Sequence, residues 1–199
     1  LCLATFLVFN SFQTIAAFSF FIIVHYLFSG DASSAGIWPT LHGSVGALIT
    51  TLLVIPVVSK MAQKYGKRQT FIVSQSISII GYILFWFLFI PGKPYMFLYA
   101  LPFFSFGIGG LFTVMMSMTA DACDYEELQN GLPRKEGAFG AIYWWMVKLG
   151  TALAGLFAGI IMWYVGFAPD SATQPEGALT GLRFFYTFIP IMGTSLAIY

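Results

Sequence analysis

The stretch GAFGAIYWWMVKLGTALAGLFAGIIMWYVG, residues 137–166, decides how this chain is read. It carries one charge, Lys148, in a run well beyond the ~18 apolar residues that mark a membrane-crossing helix. On either side the pattern repeats. Segments 1–30, 32–59, 69–92, 94–120 and 149–169 hold no formal charge, and the charges gather around 60–68, 121–136 and 170–183. Charged residues make up 9% of the 199-residue chain, where a soluble domain carries ~25%. Hydrophobic residues make up 58% and aromatic residues 19%, so a water-soluble globule is excluded in favour of an all-α integral membrane bundle. A net charge of +1 with basic residues too few and too short-range for a phosphate-tracking surface gives no case for a nucleic-acid partner.

Turn signals divide the chain into six predicted spans, about 4–28, 37–59, 70–90, 95–120, 137–166 and 182–199. The first ends at the polar run Ser29 to Ser34, the second at a basic loop from Lys60 to Arg68, and the third at Pro91-Gly92-Lys93-Pro94, which makes helices three and four antiparallel neighbours. Lys60, Lys64, Lys67, Arg68, Arg134 and Lys135 lie on one side of the spans, Lys93 and Arg183 on the other. Basic residues accumulate on the cytoplasmic face, so the second and fourth loops are expected inside. Cys2 and Cys123 then share the reducing side, and no disulfide is expected. The chain starts in apolar sequence at Leu1 and its last span reaches only about 27 Å at ~1.5 Å per residue. Both features read as an internal fragment with a truncated end.

Lys148 sits about 11 residues into the fifth span, roughly 17 Å along it. A lysine stem reaches ~6 Å, too short to bring the ammonium to either interface. A cation at that depth marks a site facing a wet cavity or a partner, the alternative being an ammonium tied to backbone carbonyls for packing. Trp144, Trp145 and Tyr143 precede it; aromatic faces there serve either as a sugar platform or as packing and interface anchors. Gly155 and Gly159 continue the lysine face as a small-xxx-small pair expected to admit a neighbouring backbone. In the first span, Asn10 and Gln13 share a face and are expected inside the bundle, touching substrate or bonding a neighbouring helix. His25 and His42 lie near outer helix ends and support neither a metal nor a proton-relay reading.

Asp121, Asp124 and Glu127 recur every three residues at the inner end of the fourth span. Carboxylates there oppose the helix dipole unless cations compensate, and Arg134, Lys135, Lys67 and Arg68 lie on the same side. The expectation is an ion-pair cluster at the cytoplasmic mouth, able to make and break with conformation. No metal site is expected in this half. Gly107 to Gly110 beside Pro102 reads as packing or a kink, not a phosphate loop.

The order Ala120-Asp121-x-x-Asp124-Tyr125-x-Glu127, then Arg134-x-Glu136-Gly137, then Lys148-x-Gly150 resembles the glycoside-pentoside-hexuronide cation symporters of the major facilitator superfamily, the group of the melibiose permease. The Lys64-Tyr65-Gly66-Lys67-Arg68 run is similar to the superfamily's cytoplasmic loop motif. The resemblance covers essentially the whole chain and implies helices seven to twelve of a twelve-helix fold, the C-terminal half. It further implies a multi-pass protein of the cell membrane that moves a small solute by alternating access with Na⁺, H⁺ or Li⁺, with no cofactor and no enzymatic activity. Lys148, Trp144 and Phe112 fall near the implied sugar and cation site, and Asp121, Asp124, Glu127 and Arg134 where inner ion pairs are implied. The implied partners are the solute, the cation, the bilayer and an N-terminal half that holds the cation-binding carboxylates. A lipid or other amphipathic solute is the alternative cargo; a passive channel or an intramembrane enzyme fits the residues less well, because Lys148 alone supplies no nucleophile and base set.

Overall fold

A computed structural model describes residues 1–199 except 132, 169, 170, 172 and 176, so the outer-loop acids Asp170 and Glu176 lie outside the described residues. Among the described residues, six helices are long and apolar enough to cross a membrane: helix one Cys2–Leu27, helix two Ala32–Tyr65, helix three Lys67–Leu88, helix four Pro94–Asn130, helix five Glu136–Tyr164 and helix six Ala178–Ile198. Hydrocarbon offers no partner for a free N–H or C=O, which is why helices carry the crossing. Helix one lies against helices five and six, helix three against four and six, and helix two against four.

Several helices outrun their apolar runs. The expected basic loop 60–68 is a single residue: helix two continues through Lys60 and Lys64 to Tyr65, Gly66 turns at φ 86°, and helix three begins at Lys67. Lys, Met, Ala and Gln are good helix formers, so the chain leaves the hydrocarbon without leaving the helix. For the same reason helix four does not stop at Ala120 but runs to Asn130, where Gly131 adopts the left-handed conformation and donates its N–H to the Glu127 carbonyl. Helix six begins at Ala178, after Gly177, so Arg183 belongs to a helix rather than to a loop. Its guanidinium lies over the Tyr26 ring at 4.1 Å and the Trp86 ring at 4.8 Å and donates to the Trp86 carbonyl at 2.5 Å, joining helices one, three and six at their outer ends.

Helices one, two and four each contain a π-helical stretch, Ile22–Leu27, Thr50–Val54 and Leu111–Met115. In helix two the cause is Pro56, which lacks the N–H that the Leu52 carbonyl would accept, and the widened turn before it absorbs the mismatch. Pro102 falls in the first turn after a 3₁₀ segment, Pro94–Ala100, where its missing N–H is harmless, and a second irregularity follows further along. That one is the π-helical stretch directly after Gly110.

Apolar side chains gather in an outer cluster around Phe18, Phe85, Phe97 and Leu182 and an inner one around Val8, Val58, Leu111 and Met115. A close seam joins helices three and four. Ser74, Gln75 and Ser78 are fully buried there, and the Gln75 amide donates to the Gly107 carbonyl at 3.0 Å. A Cβ on Gly107 would lie 2.7 Å from Ser78 Cβ, one on Gly110 2.7 Å from Ser74 Cβ, and one on Gly81 2.5 Å from the Phe104 backbone nitrogen. Small residues permit this approach where lipid supplies no hydrophobic drive between helices.

The expected glycine contact on helix five is not made within the bundle: a Cβ on Gly155 or Gly159 would meet nothing within 4 Å. The close approach is at Gly150, whose added Cβ would lie 3.2 Å from the Phe6 carbonyl oxygen of helix one. Gly81→Ala should therefore lower the thermal stability of the detergent-purified protein by ~1–3 kcal/mol, since backbone cannot yield as a side chain can. Gly155→Ala should leave the melting curve unchanged; equal losses in both variants would refute the seam assignment.

Candidate functional site

Helix five buries Tyr143, Val147, Gly150, Ala154, Ala158 and Ile161, a single face spaced by three and four residues and turned toward helices one and four. Lys148 lies off that face and is exposed. Among the described residues its ammonium makes no ion pair or hydrogen bond, so the carbonyl-tied arrangement is absent there.

One turn further out, helix one grips helix five through the two amides singled out in its sequence. Asn10 Nδ2 donates to the Gly150 carbonyl at 3.2 Å, and Gln13 Nε2 to Thr151 Oγ1 at 3.3 Å. Thr151 in turn donates to the Val147 carbonyl at 3.0 Å. Both amides therefore bond a neighbouring helix, and both stay part-exposed beside the lysine face. Trp144, one turn inward of Lys148, is 47% exposed on the same side. Tyr143 parts from it: its ring is buried against helix four, and its hydroxyl has no hydrogen-bond partner among the described residues.

Phe112 is also half open, set edge-to-face on Phe9 at 5.5 Å between centroids. It forms the inner end of a cleft of about 450 Å³ between helices one, two and four, walled by Phe12, Ile15, Phe104 and Ile108, with His42, Gly43, Gly46, Thr50 and Thr51 along helix two. The cleft and Lys148 lie on opposite flanks of helix one, whose Phe12 faces the former while Gln13 bonds toward the latter. This volume is in the range of small-molecule sites.

At the inner end the acidic run is paired. Lys67 meets Asp121 at 2.6 Å, Arg134 meets Asp124 at 2.6 Å, Glu136 at 3.1 Å and Glu127 at 3.8 Å, and Lys135 meets Glu126 at 2.7 Å. Asp124 and then Glu136 raise the Arg134 pKa, holding its guanidinium charged. The pairs join helix four to the start of helix three and to the connection into helix five, all within this bundle. Arg68 departs from expectation: it takes no part in these pairs and lines a different groove with Leu1, Leu7 and Leu196, one residue round the helix from Lys67. Glu126 and Glu136 were the members missed, the first because a three-residue count from Asp121 passes over it, the second because it opens helix five rather than closing helix four.

The family described as MFS/sugar transport protein matches residues 1–199 of this chain. The chain belongs to that family. With six helices long and apolar enough to cross a membrane among the described residues, it is a multi-pass membrane chain of that family. Over 190 residues, 96% of the chain, it is 28% identical to a protein named glucuronide carrier protein homolog from Escherichia coli (strain K12), of which it covers 40%. It is 27% identical over 163 residues to an isoprimeverose transporter from Lactiplantibacillus pentosus, covering 77% of the chain and 32% of that protein. It is 28% identical over 140 residues to a putative sulfoquinovose importer from Escherichia coli (strain K12), covering 70% of the chain and 28% of that protein. The chain thus spans two fifths or less of the length of these relatives. No solved structure matches it significantly.

In this sugar-transport-family chain, Cys123 is buried and lines the same pocket as Arg134, whereas Cys2 is exposed. Arg134→Gln leaves Asp124, Glu127 and Glu136 without their cation. Exposed pairs are weakened by solvent screening, so the open form of this corner should gain up to about fivefold in population. Maleimide labelling of Cys123 should rise by that factor while Cys2 labelling stays constant. Unchanged Cys123 labelling would return the cluster to a set of solvated surface charges.

Proposed function

We propose that this bundle is the C-terminal half of a cation-coupled symporter that moves a sugar, glycoside or uronide by alternating access. The observation that carries the reading is Lys148, uncovered and, among the described residues, unpaired near mid-span. An ammonium facing hydrocarbon costs at least ~2.5 kcal/mol, so its face of helix five must look onto water, a solute or a second bundle. Trp144 and the part-exposed amides Asn10 and Gln13 then border a polar chamber closed by the other half, with Phe112 at the inner end of the cleft on the opposite flank of helix one. Tyr143, buried toward helix four, acts by packing at that border.

The names of the relatives support a sugar-like cargo, and others named as symporters, among them a putative glycoside/cation symporter from Escherichia coli (strain K12), support coupling to Na⁺, H⁺ or Li⁺. Coupling requires carboxylates or other donors near Lys148, and these would come from the partner half. In this reading the pairs made by Lys67, Asp121, Asp124, Glu127 and Arg134 hold the inner ends of helices three, four and five as one piece. The piece seals the cytoplasmic side when it meets the other half. The apolar wall of the cleft, Phe12, Phe104, Ile108 and Phe112, favours a second reading, an amphipathic cargo.

Lys148→Ala in the full-length transporter should reach the membrane in normal amount yet lose concentrative uptake in proteoliposomes, at least tenfold below the unmodified protein. Glycoside and lysolipid competitors in the same assay separate the two cargo readings, and ion replacement identifies the driving cation. Full coupled uptake by the variant would remove Lys148 from the mechanism.

A further inference from the structure

The cleft contains one polar group that the role of Lys148 leaves unexplained. His42, in the second turn of Trp38–Ile49, is only 6% exposed and lines the cleft. Phe85, Phe97 and Phe104 surround its ring at centroid distances of 5.5, 5.7 and 6.3 Å, and its Nε2 has no hydrogen-bond partner among the described residues. A buried imidazole nitrogen without a partner costs ~1–3 kcal/mol. Nearby hydroxyls are already engaged: Thr50 donates to the Gly46 carbonyl at 2.8 Å and Ser19 to the Ala16 carbonyl at 3.1 Å. Inward from the imidazole, Gly43, Gly46 and Ala47 leave helix two nearly bare along the cleft. A Cβ on Gly43 would meet nothing within 4 Å, so the cleft is open beside this turn of helix two.

We propose that His42 is the polar anchor of an outer solute subsite, separate from the lysine face, where its imidazole exchanges a hydrogen bond with one hydroxyl of a polyhydroxylated solute. This rests on the transport reading above. The remainder of the site suits such a solute: Phe12 and Phe104, stacked at 5.9 Å, and Phe112 offer ring faces to the C–H side of a pyranose, and Thr50 and Thr51 end the track inward. Phe12 and Phe104 alone would hold any apolar body; the imidazole adds a requirement for a hydroxyl at one position. Discrimination of that kind is set by a buried polar group left unpaired when the solute lacks its counterpart.

The test uses the full-length transporter in proteoliposomes, with methyl β-D-glucuronide, methyl β-D-glucoside, methyl β-D-xyloside and their monodeoxy derivatives as probes. Absence of uptake of all three parent glycosides by the unmodified protein would overturn the transport reading and this subsite with it. Given uptake, removing one particular hydroxyl should raise KM about fivefold to tenfold, the loss of one neutral hydrogen bond. His42→Phe should raise KM for the parent by the same factor, abolish the difference between parent and that deoxy analogue, and leave the maximal rate within about twofold. His42→Gln should restore part of the discrimination. A phenyl ring fits among Phe85, Phe97 and Phe104, and an unchanged melting curve checks that the variant folds. If His42→Phe leaves KM unchanged for every probe, or raises it equally for the parent and all deoxy analogues, the subsite is refuted and the residue is part of the packing.

Discussion

An ammonium group on a four-carbon stem cannot be left to lipid at mid-membrane, and that constraint orients the bundle around it. Helix five can turn only one face inward, and the face it turns carries Gly150, Ala154 and Ala158 against helix one. The lysine face is therefore left outside the bundle. Helix one secures the arrangement with two amide bonds one turn from the lysine, so the rotation of helix five about its axis is fixed by polar contacts as well as by shape. The same amides remain part-exposed, which gives the open face a polar character beyond the single charge.

Much of this was legible in residue types alone. Lys148 in an uncharged run gave the membrane reading and the candidate site together, because burying a charge in hydrocarbon is costly enough to leave few alternatives. The pairing of Asp121 and Asp124 with Lys67 and Arg134 followed from sidedness and helical spacing. Helix ends were not legible from hydropathy: Lys60 to Tyr65 and Asp121 to Asn130 are polar yet helical, since solvation and helix formation are separate questions. The backbone stops at Gly66 and Gly131 were visible as residues but were not used as ends.

Other features needed the third dimension. The glycine pair 155 and 159 looked like a packing motif, while the close contacts fall on Gly150, Gly81, Gly107 and Gly110, because a small residue admits a neighbour only where one is present. A polar stripe of Thr70, Ser74 and Ser78 at four-residue spacing, with Gln75 beside it, was the unused signal for the seam with helix four. His42 was set aside for its position near a helix end. Its meaning depends on the three phenylalanines from helices three and four that enclose it, which no local spacing reveals.

The single-residue link at Gly66 has a mechanical implication. Helix two and helix three meet there with no slack, and the Lys67 to Asp121 pair ties the same corner to helix four. Such a corner behaves as an elbow rather than a tether: helix two cannot slide along its axis without dragging helix three. Its outer arm has freedom mainly to swing. Any displacement of the cleft wall near His42 would then pivot about this corner, with the widened turn at Thr50–Val54 as the compliant point along the arm.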